Sequence, residues 1–372
     1  MYGSVYERRS FVGLTPWIFF LVMAALATEG TALLYSAAHG SWTPWALRHA
    51  LRFCAFSPIM LAIAAMPTRW LYKLAYPAYA FALFLLFLND VAGETTMGAE
   101  RWLRFGGFGL QPSEPMKLAM VMALARYFQD MEAAAQGKWT SLLPPALIIA
   151  APTALILAQP DLGTGTILAA CGVIVLFAAG VPWIYFIVCG VLAACASPLL
   201  WHFYLMDYQK KRILVFLHPE EDPLGSGYNI MQSIIAIGSG GATGKGFMQG
   251  SQSQLDFLPE HQTDFIFTLL SEELGMVGAL GTLAAYLFLT LRMLSFGMEC
   301  RHSFGRILSA GSAGLLFLHV AINVAMVSGV IPVVGAPLPL LSYGGTIMLT
   351  VMTAVGLTLN GRFHPERTRL ND

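Results

Sequence analysis

Charged side chains are scarce in this sequence. Only 11% of its 372 residues are Asp, Glu, Lys or Arg, against 56% hydrophobic residues, whereas an ordinary soluble chain carries roughly 25% charged residues. So little charge cannot cover a water-facing surface, which excludes a soluble globular protein. The 21 basic residues balance 21 acidic ones, so there is no basic field to attract nucleic acid, and an anionic ligand has to be met locally. The five cysteines, Cys54, Cys171, Cys189, Cys195 and Cys300, contain no CxxC pair, and HExxH and paired-histidine patterns are missing. The usual zinc spacings are thereby excluded, and the cysteines read as packing residues. A complete phosphate loop is also missing. Gly244-Lys245 invites the comparison, but Ser239 stands where the first glycine belongs and Gly246 where Ser or Thr would hold magnesium, so no nucleotide is expected.

What is abundant is apolar sequence. Runs near 14–38, 46–66, 70–89, 113–130, 141–159, 163–180, 183–206, 263–291, 306–330 and 338–360 approach the length of about 20 residues that crosses a hydrocarbon core, and in lipid such runs must be helical. The expectation is an all-α polytopic membrane bundle of about ten transmembrane helices, one domain over 1–372, with a large loop at 207–262 between the seventh and eighth spans. Arg8 and Arg9 precede a first run too long for a signal peptide, so that span is read as uncleaved. An even number of spans puts both termini on one side, and Arg8, Arg9, Arg362, Arg367 and Arg369 mark that side as cytoplasmic. Segments 90–112, 207–262 and 331–337 then open to the outer face, where chemistry is expected. No internal repeat is visible, which counts against a transporter.

The loop 207–262 is polar and rich in glycine, and it leads into Asp264 at the start of a long apolar helix. A carboxylate there either caps the helix and complements its dipole or acts as a general base between water and bundle. Thr268 and Ser271 follow it on one helical face, and His261 lies three residues before it, where it can orient or polarise it. Glu272 and Glu273 fall inside the span, so at least one must be paired or protonated. Ile234, Ile235 and Ile237 are expected to dip toward lipid or protein. A second group is Arg101-Trp102-Leu103-Arg104, followed by Gln111-Pro112-Ser113-Glu114-Pro115-Met116-Lys117. Ser113 reads as a helix cap. Glu114 and Lys117, three apart, share a face and form either a self-contained ion pair or a pyrophosphate site at the outer interface. Asp161 sits in a short break, where it caps the next helix or, with Glu114, holds a divalent cation. The proline-rich stretch 332–345 is expected as a bent segment buried at the bundle mouth.

These stretches resemble the SEDS family of bacterial cell-wall polymerases, named for shape, elongation, division and sporulation. The resemblance rests on Arg101-Trp102 with QPSE at 111–114, QPDLGT at 159–164, DPLGSGYNIMQS at 222–233, FLPEHQTDFIF at 257–267, EELG at 272–275 and PLPLLSYGG at 337–345. The sequence IAIGSGGATGKGF followed by GSQSQLDFLPE looks like the elongation branch of the family more than the division branch. The resemblance implies an inverting peptidoglycan glycosyltransferase that polymerises lipid II during elongation and rod-shape maintenance. Its active site would face the periplasm from the bacterial inner membrane. It places the essential aspartate on Asp264 and functional positions on Glu114 and Lys117. The expected substrate-binding residues are Arg101, Gln111, Glu114, Lys117, Asp161 and His261, with a Mg or Mn ion at Glu114 and Asp161. Expected partners are a class B penicillin-binding transpeptidase, the growing glycan strand and other elongation-machinery proteins. The competing readings are a flippase for the same lipid and a catalytically silent scaffold.

Overall fold

The computed structural model describes residues 14–92, 94–96, 99–105, 108–131, 139–159, 161–203, 207–218, 222, 225–255, 257 and 260–364. Arg8, Arg9, Glu220, Glu221, Asp256, Arg367 and Arg369, and the side chains of Glu94, Glu100, Arg101, Arg104 and Arg212, lie outside the described residues. Ten helices occupy the ten apolar runs: α1 (Leu14–Ala37), α2 (Ala46–Ala65), α3 (Thr68–Ala92), α4 (Ser113–Asp130), α5 (Leu143–Ala158), α6 (Leu162–Ala178), α7 (Trp183–Phe203), then, after the long connection, α11 (Ile266–Met298), α12 (Ser303–Val327) and α13 (Gly345–Phe363). Among the described residues, seven helices are long and apolar enough to cross a membrane: α1, α2, α3, α5 with its preceding 3-10 turn, α7, α11 and α12. Helix α6 is apolar but shorter, and α4 and α13 carry buried polar residues, Glu114 and Lys117 on one and Thr346, Thr350, Thr358 and Asn360 on the other. A helix that is polar inside the bundle needs no lipid-like composition.

The connection read as a loop over 207–262 is largely helical. It contains α8 (Asp207–Leu217), α9 (Ser226–Ser239) and the short α10 (Ser251–Gln254). Among its described residues the segment 90–112 likewise has regular structure. It forms three short antiparallel strands, β1 (Glu94–Thr96), β2 (Ala99–Phe105) and β3 (Phe108–Leu110), with Glu94 opposite Trp102 and Leu103 opposite Leu110. Pairing satisfies backbone groups that an open loop would leave to water.

Helix α12 is the hub, packed against α4, α6, α11 and α13. Small residues let it approach closely: Gly311 lies against Val121 and Val175, Gly314 against Ile174, and Ser309 against Gly297. Around it are two apolar cores, one built on Phe19, Met23, Leu270, Phe296 and Met348, the other on Leu86, Met116, Leu124, Leu168 and Leu315. Helix α7 is the opposite case, with exposed Ile184, Val188, Val191, Leu192 and Leu199.

Candidate functional site

The stretch from Pro332 to Gly344 has no regular secondary structure, and its residues Leu338 to Ser342 are buried. This agrees with the bent segment that the prolines predict, although α13 starts only at Gly345 rather than near 338. Non-helical backbone at this depth requires internal partners, and they are present. His49 Nε2 meets the Leu340 carbonyl at 2.9 Å, and the Tyr286 hydroxyl donates to the Pro339 carbonyl. Ser342 Oγ accepts from Leu338 N at 2.7 Å and donates to the Thr263 carbonyl at 2.6 Å, while Tyr343 N donates to the Gln262 carbonyl at 2.9 Å. These bonds lay the chain around Asp264 on the 336–343 segment. Asn323 completes the clamp from α12, with Nδ2 donating to the carbonyls of Asp264 at 2.7 Å and Ala336 at 2.6 Å.

Asp264 itself is half-buried, and a Cβ added to Gly335 would stand 3.4 Å from its Oδ2. The N-cap of α11 is Phe265, which has no side-chain acceptor, so Asp264 lies one residue outside the capping position. The preceding turn is held instead by Glu260, whose carbonyl accepts from Thr263 N and Phe265 N and whose Oε2 accepts from Thr263 Oγ1 at 3.0 Å. Thr268 and Ser271 serve packing: Thr268 Oγ1 pairs with Ser233 Oγ at 2.6 Å and Ser271 Oγ donates to the Phe267 carbonyl at 2.7 Å. Ser233 in turn bonds the Val327 carbonyl at 2.7 Å, which fastens α9 to both α11 and α12.

Glu114 and Lys117 do share a face, with Lys117 Nζ 2.7 Å from Glu114 Oε1. The structure corrects two expectations here. The N-cap of α4 is Pro112, with Ser113 the first helical residue and no side-chain cap; a Gln111 carbonyl to Glu114 N bond of 3.1 Å closes the turn instead. Lys117 is also not at an interface, since it is 0% exposed, and its ammonium is held from the far side by His319 Nε2 at 2.9 Å. A lysine ammonium has three N–H groups, so one is left after Glu114 and His319. The cluster keeps further open valences: Glu114 Oε2, His319 Nδ1 and Asn323 Oδ1 are buried without a hydrogen-bond partner.

Asp161 is the cap of α6. Its Oδ1 accepts from Thr164 N at 3.1 Å and its Oδ2 from Thr164 Oγ1 at 2.9 Å. A Cβ on Gly163 would meet the Val334 carbonyl at 2.3 Å, so this turn touches the mouth segment. His261 is buried with its ring edge-on to Trp45 and Nε2 3.3 Å from the Ala37 carbonyl, which anchors the loop to the end of α1. Gln111 is half-buried just before α4, and Arg101 belongs to β2. As for a cation, Asp161 accepts from Thr164 through both oxygens, Glu114 meets Lys117 through one, and Glu114 Oε2 is buried without a hydrogen-bond partner. Among the described residues no three acidic, histidine or cysteine side chains cluster as ligands. The protein groups described therefore do not by themselves fit a divalent ion.

The glycine-rich segment has a structural explanation. Helix α11 is broken at Gly275, with φ 65° and ψ −164°, a conformation open to glycine. The break leaves carbonyls at 272 and 273 and N–H groups at 276 and 277 without helical partners, and the loop supplies them. Lys245 N and Gly246 N donate to the Glu272 and Glu273 carbonyls at 3.0 Å each, and Met276 N and Val277 N donate to the Gly241 and Ala242 carbonyls at 2.9 and 3.1 Å. Such contact leaves no room for side chains: a Cβ on Gly240 would stand 2.1 Å from the Ser271 carbonyl, and on Gly244 2.1 Å from that of Glu273. Lys245 pairs with Glu272 at 2.7 Å, whose Oε1 also accepts from Gln252 N at 2.9 Å, and Glu273 accepts from Ser36. Glu272 and Glu273 thus each have a partner, although Glu273 Oε2 is buried without one. Ile237 packs on the core, while Ile234 and Ile235 face outward.

Three residues near the site escape a reading of local motifs. His319 and Asn323, one turn apart on α12, are polar side chains in an apolar helix, and that position was the available signal. Arg52 of α2 has its guanidinium 4.6 Å over the Tyr343 ring and bonds its hydroxyl at 3.3 Å, adding a cation at the edge of the mouth.

Comparison with known proteins agrees with this architecture. The cell cycle protein family of FtsW, RodA and SpoVE matches residues 13–365. Peptidoglycan glycosyltransferase MrdB of Escherichia coli (strain K12) is 44% identical over 306 residues, 82% of each chain. Stage V sporulation protein E of Bacillus subtilis (strain 168) is 33% identical over 352 residues, covering 91% of this chain and 94% of the relative. A solved structure described as the structural coordination of polymerization and crosslinking by a peptidoglycan synthase complex superposes with a TM-score of 0.83 at 30% identity, covering 95% of this chain and 98% of that one. With a family match over nearly its whole length and a shared fold, this chain belongs to the FtsW/RodA/SpoVE family.

Proposed function

We propose that Asp264 is the general base of a glycosyl transfer carried out at this mouth. The chain is a peptidoglycan glycosyltransferase, and on this reading its substrate is lipid II. Asp264 takes the proton from the 4-hydroxyl of the acceptor N-acetylglucosamine. The freed oxygen attacks C1 of the donor N-acetylmuramic acid, the C1 to phosphate-oxygen bond breaks, and undecaprenyl pyrophosphate leaves with its electron pair, inverting the linkage. The observation that carries this assignment is the placement of Asp264. Its backbone is clamped by Asn323 and its carboxylate is half-buried outside the capping position, beside the irregular 334–337 segment. A group fixed this way is oriented before substrate arrives, and base catalysis contributes typically about 10²- to 10⁴-fold.

The leaving pyrophosphate needs positive charge, which Arg101 and Lys117 supply on this reading, with Gln111, Asp161 and His261 shaping the pocket. Lys117 is enclosed, so the pyrophosphate reaches its remaining N–H only when the mouth opens around it. A Mg or Mn ion, where bound, would add positive charge beside the leaving group, and Glu114 Oε2 is a carboxylate oxygen that would be open to it. The mouth would face the periplasm, both termini the cytoplasm, and a class B penicillin-binding transpeptidase would crosslink the product.

The test is polymer formation from labelled lipid II by the purified chain with such a partner, comparing wild type with Asp264→Asn. The expected outcome is loss of polymer from a mutant with unchanged thermal midpoint. Wild-type polymer from the mutant would remove Asp264 as base, and no polymer from the wild type would favour the flippase reading.

A further inference from the structure

The contact between Lys117 and His319 is not needed to neutralise charge. Glu114 already sits 2.7 Å from the ammonium, and the pair alone would be electrically complete. Yet the fully buried imidazole of His319 approaches the same nitrogen to 2.9 Å. Beside an ammonium, an imidazole nitrogen must be the acceptor, so His319 is neutral, with its proton on Nδ1. That nitrogen is buried without a hydrogen-bond partner. Buried polar groups of this kind seldom add stability over well-packed apolar side chains, and in membrane spans they mark functional sites. One turn further along α12, Asn323 clamps the backbone of Asp264. A single rigid helix therefore touches both the proposed base and the proposed pyrophosphate ligand.

We infer that His319 is a positioning residue: it holds the Lys117 ammonium at a fixed height relative to Asp264, so that the cation meets the pyrophosphate rather than folding back onto Glu114. With the imidazole in place, the ammonium has two protein partners, Glu114 and His319, and its third N–H is left for a ligand. Without it, the four-carbon stem is free to change rotamer around Glu114. The inference rests on the reading of Lys117 given above, and it adds a residue that the sequence motifs do not contain.

The test measures binding of undecaprenyl pyrophosphate to the full-length protein in detergent, for wild type, His319→Leu, His319→Gln, Lys117→Met and the Lys117→Met/His319→Leu double variant. The thermal midpoint of each is recorded to ensure comparison of folded protein. A glutamine carbonyl can accept from the ammonium and leucine cannot. The expected result is an affinity about tenfold weaker for His319→Leu, restored to within about threefold by His319→Gln, with the double variant no weaker than Lys117→Met alone because the two residues act as one unit. Wild-type affinity in His319→Leu, no rescue by glutamine, or independent losses that multiply in the double variant would each overturn the role. If His319→Leu does not fold, His319→Phe, which also cannot accept from the ammonium, takes its place and the same outcomes decide. Wild-type affinity in Lys117→Met would instead overturn the pyrophosphate role of Lys117, and polymer formation by Asp264→Asn addresses the base separately.

Discussion

Two lysine–glutamate pairs of equal length, 2.7 Å, lie in this bundle and do different work. In the pair of Lys245 and Glu272, one carboxylate oxygen accepts from Lys245, from Gln252 N at 2.9 Å and from Ser251 Oγ at 3.4 Å, and the lysine also donates to Ser251. It fastens the loop to the broken helix, and its side chains are 26% and 1% exposed. In the pair of Glu114 and Lys117, the side chains are 0% and 6% exposed for lysine and glutamate, and Glu114 Oε2 is left without a partner next to an imidazole in the same condition. A fastening pair consumes its hydrogen-bonding capacity locally. A pair held ready for a ligand keeps some in reserve, at a cost that packing must offset.

The sharpest way to break this comparison is Lys117→Met. Removing one partner of a buried pair costs roughly 3–5 kcal/mol, and polymer formation should fall at least about 100-fold. The Lys117→Met/Glu114→Leu double variant should regain much of the thermal midpoint without the activity; restored activity would place this pair in the fastening class. Next in size is Gly275→Ala, whose new Cβ would stand 2.2 Å from Gly244 N. A stability loss above about 2 kcal/mol is expected, read by thermal unfolding in detergent. Glu272→Gln should be milder, about 1–3 kcal/mol for weakened charge-assisted bonds. Polymerisation per folded molecule should stay within about threefold of wild type, and a larger drop would show that the loop latch shapes the mouth. The smallest effect concerns salt. The difference in thermal midpoint between wild type and Lys245→Met should shrink in 1 M salt, where the screening length is about 3 Å, and the corresponding difference for Lys117→Met should not.

How legible these features were in the sequence follows the distance between interacting residues. Hydropathy located helices in the apolar runs, seven of the described ones long and apolar enough to cross a membrane, and the i, i+3 spacing placed Glu114 beside Lys117. The prolines at 332, 337 and 339 foretold an irregular, buried segment. Contacts closed by the fold were not visible: Lys117 meets a histidine 202 positions away, and Glu273 a serine 237 positions away. Local rules also misled where tertiary bonds took over. Ser113 looks like a cap until the Gln111 carbonyl closes the turn, and Asp264 looks like a cap until Phe265 occupies that place. EELG reads as unbroken helix because nothing in those four residues announces that four backbone groups will be paired by 241–246. In the sequence the local pattern at Asp264 fits a cap as well as a base, and only the family resemblance favours the base.

The break at Gly275 bears on where this protein tolerates extra sequence. Residues 241–246 complete the backbone pairing of a helix, so an epitope tag placed among them would strand peptide groups of α11 in an apolar setting. Part of this long connection thus behaves as a missing turn of helix that happens to be supplied from elsewhere in the chain.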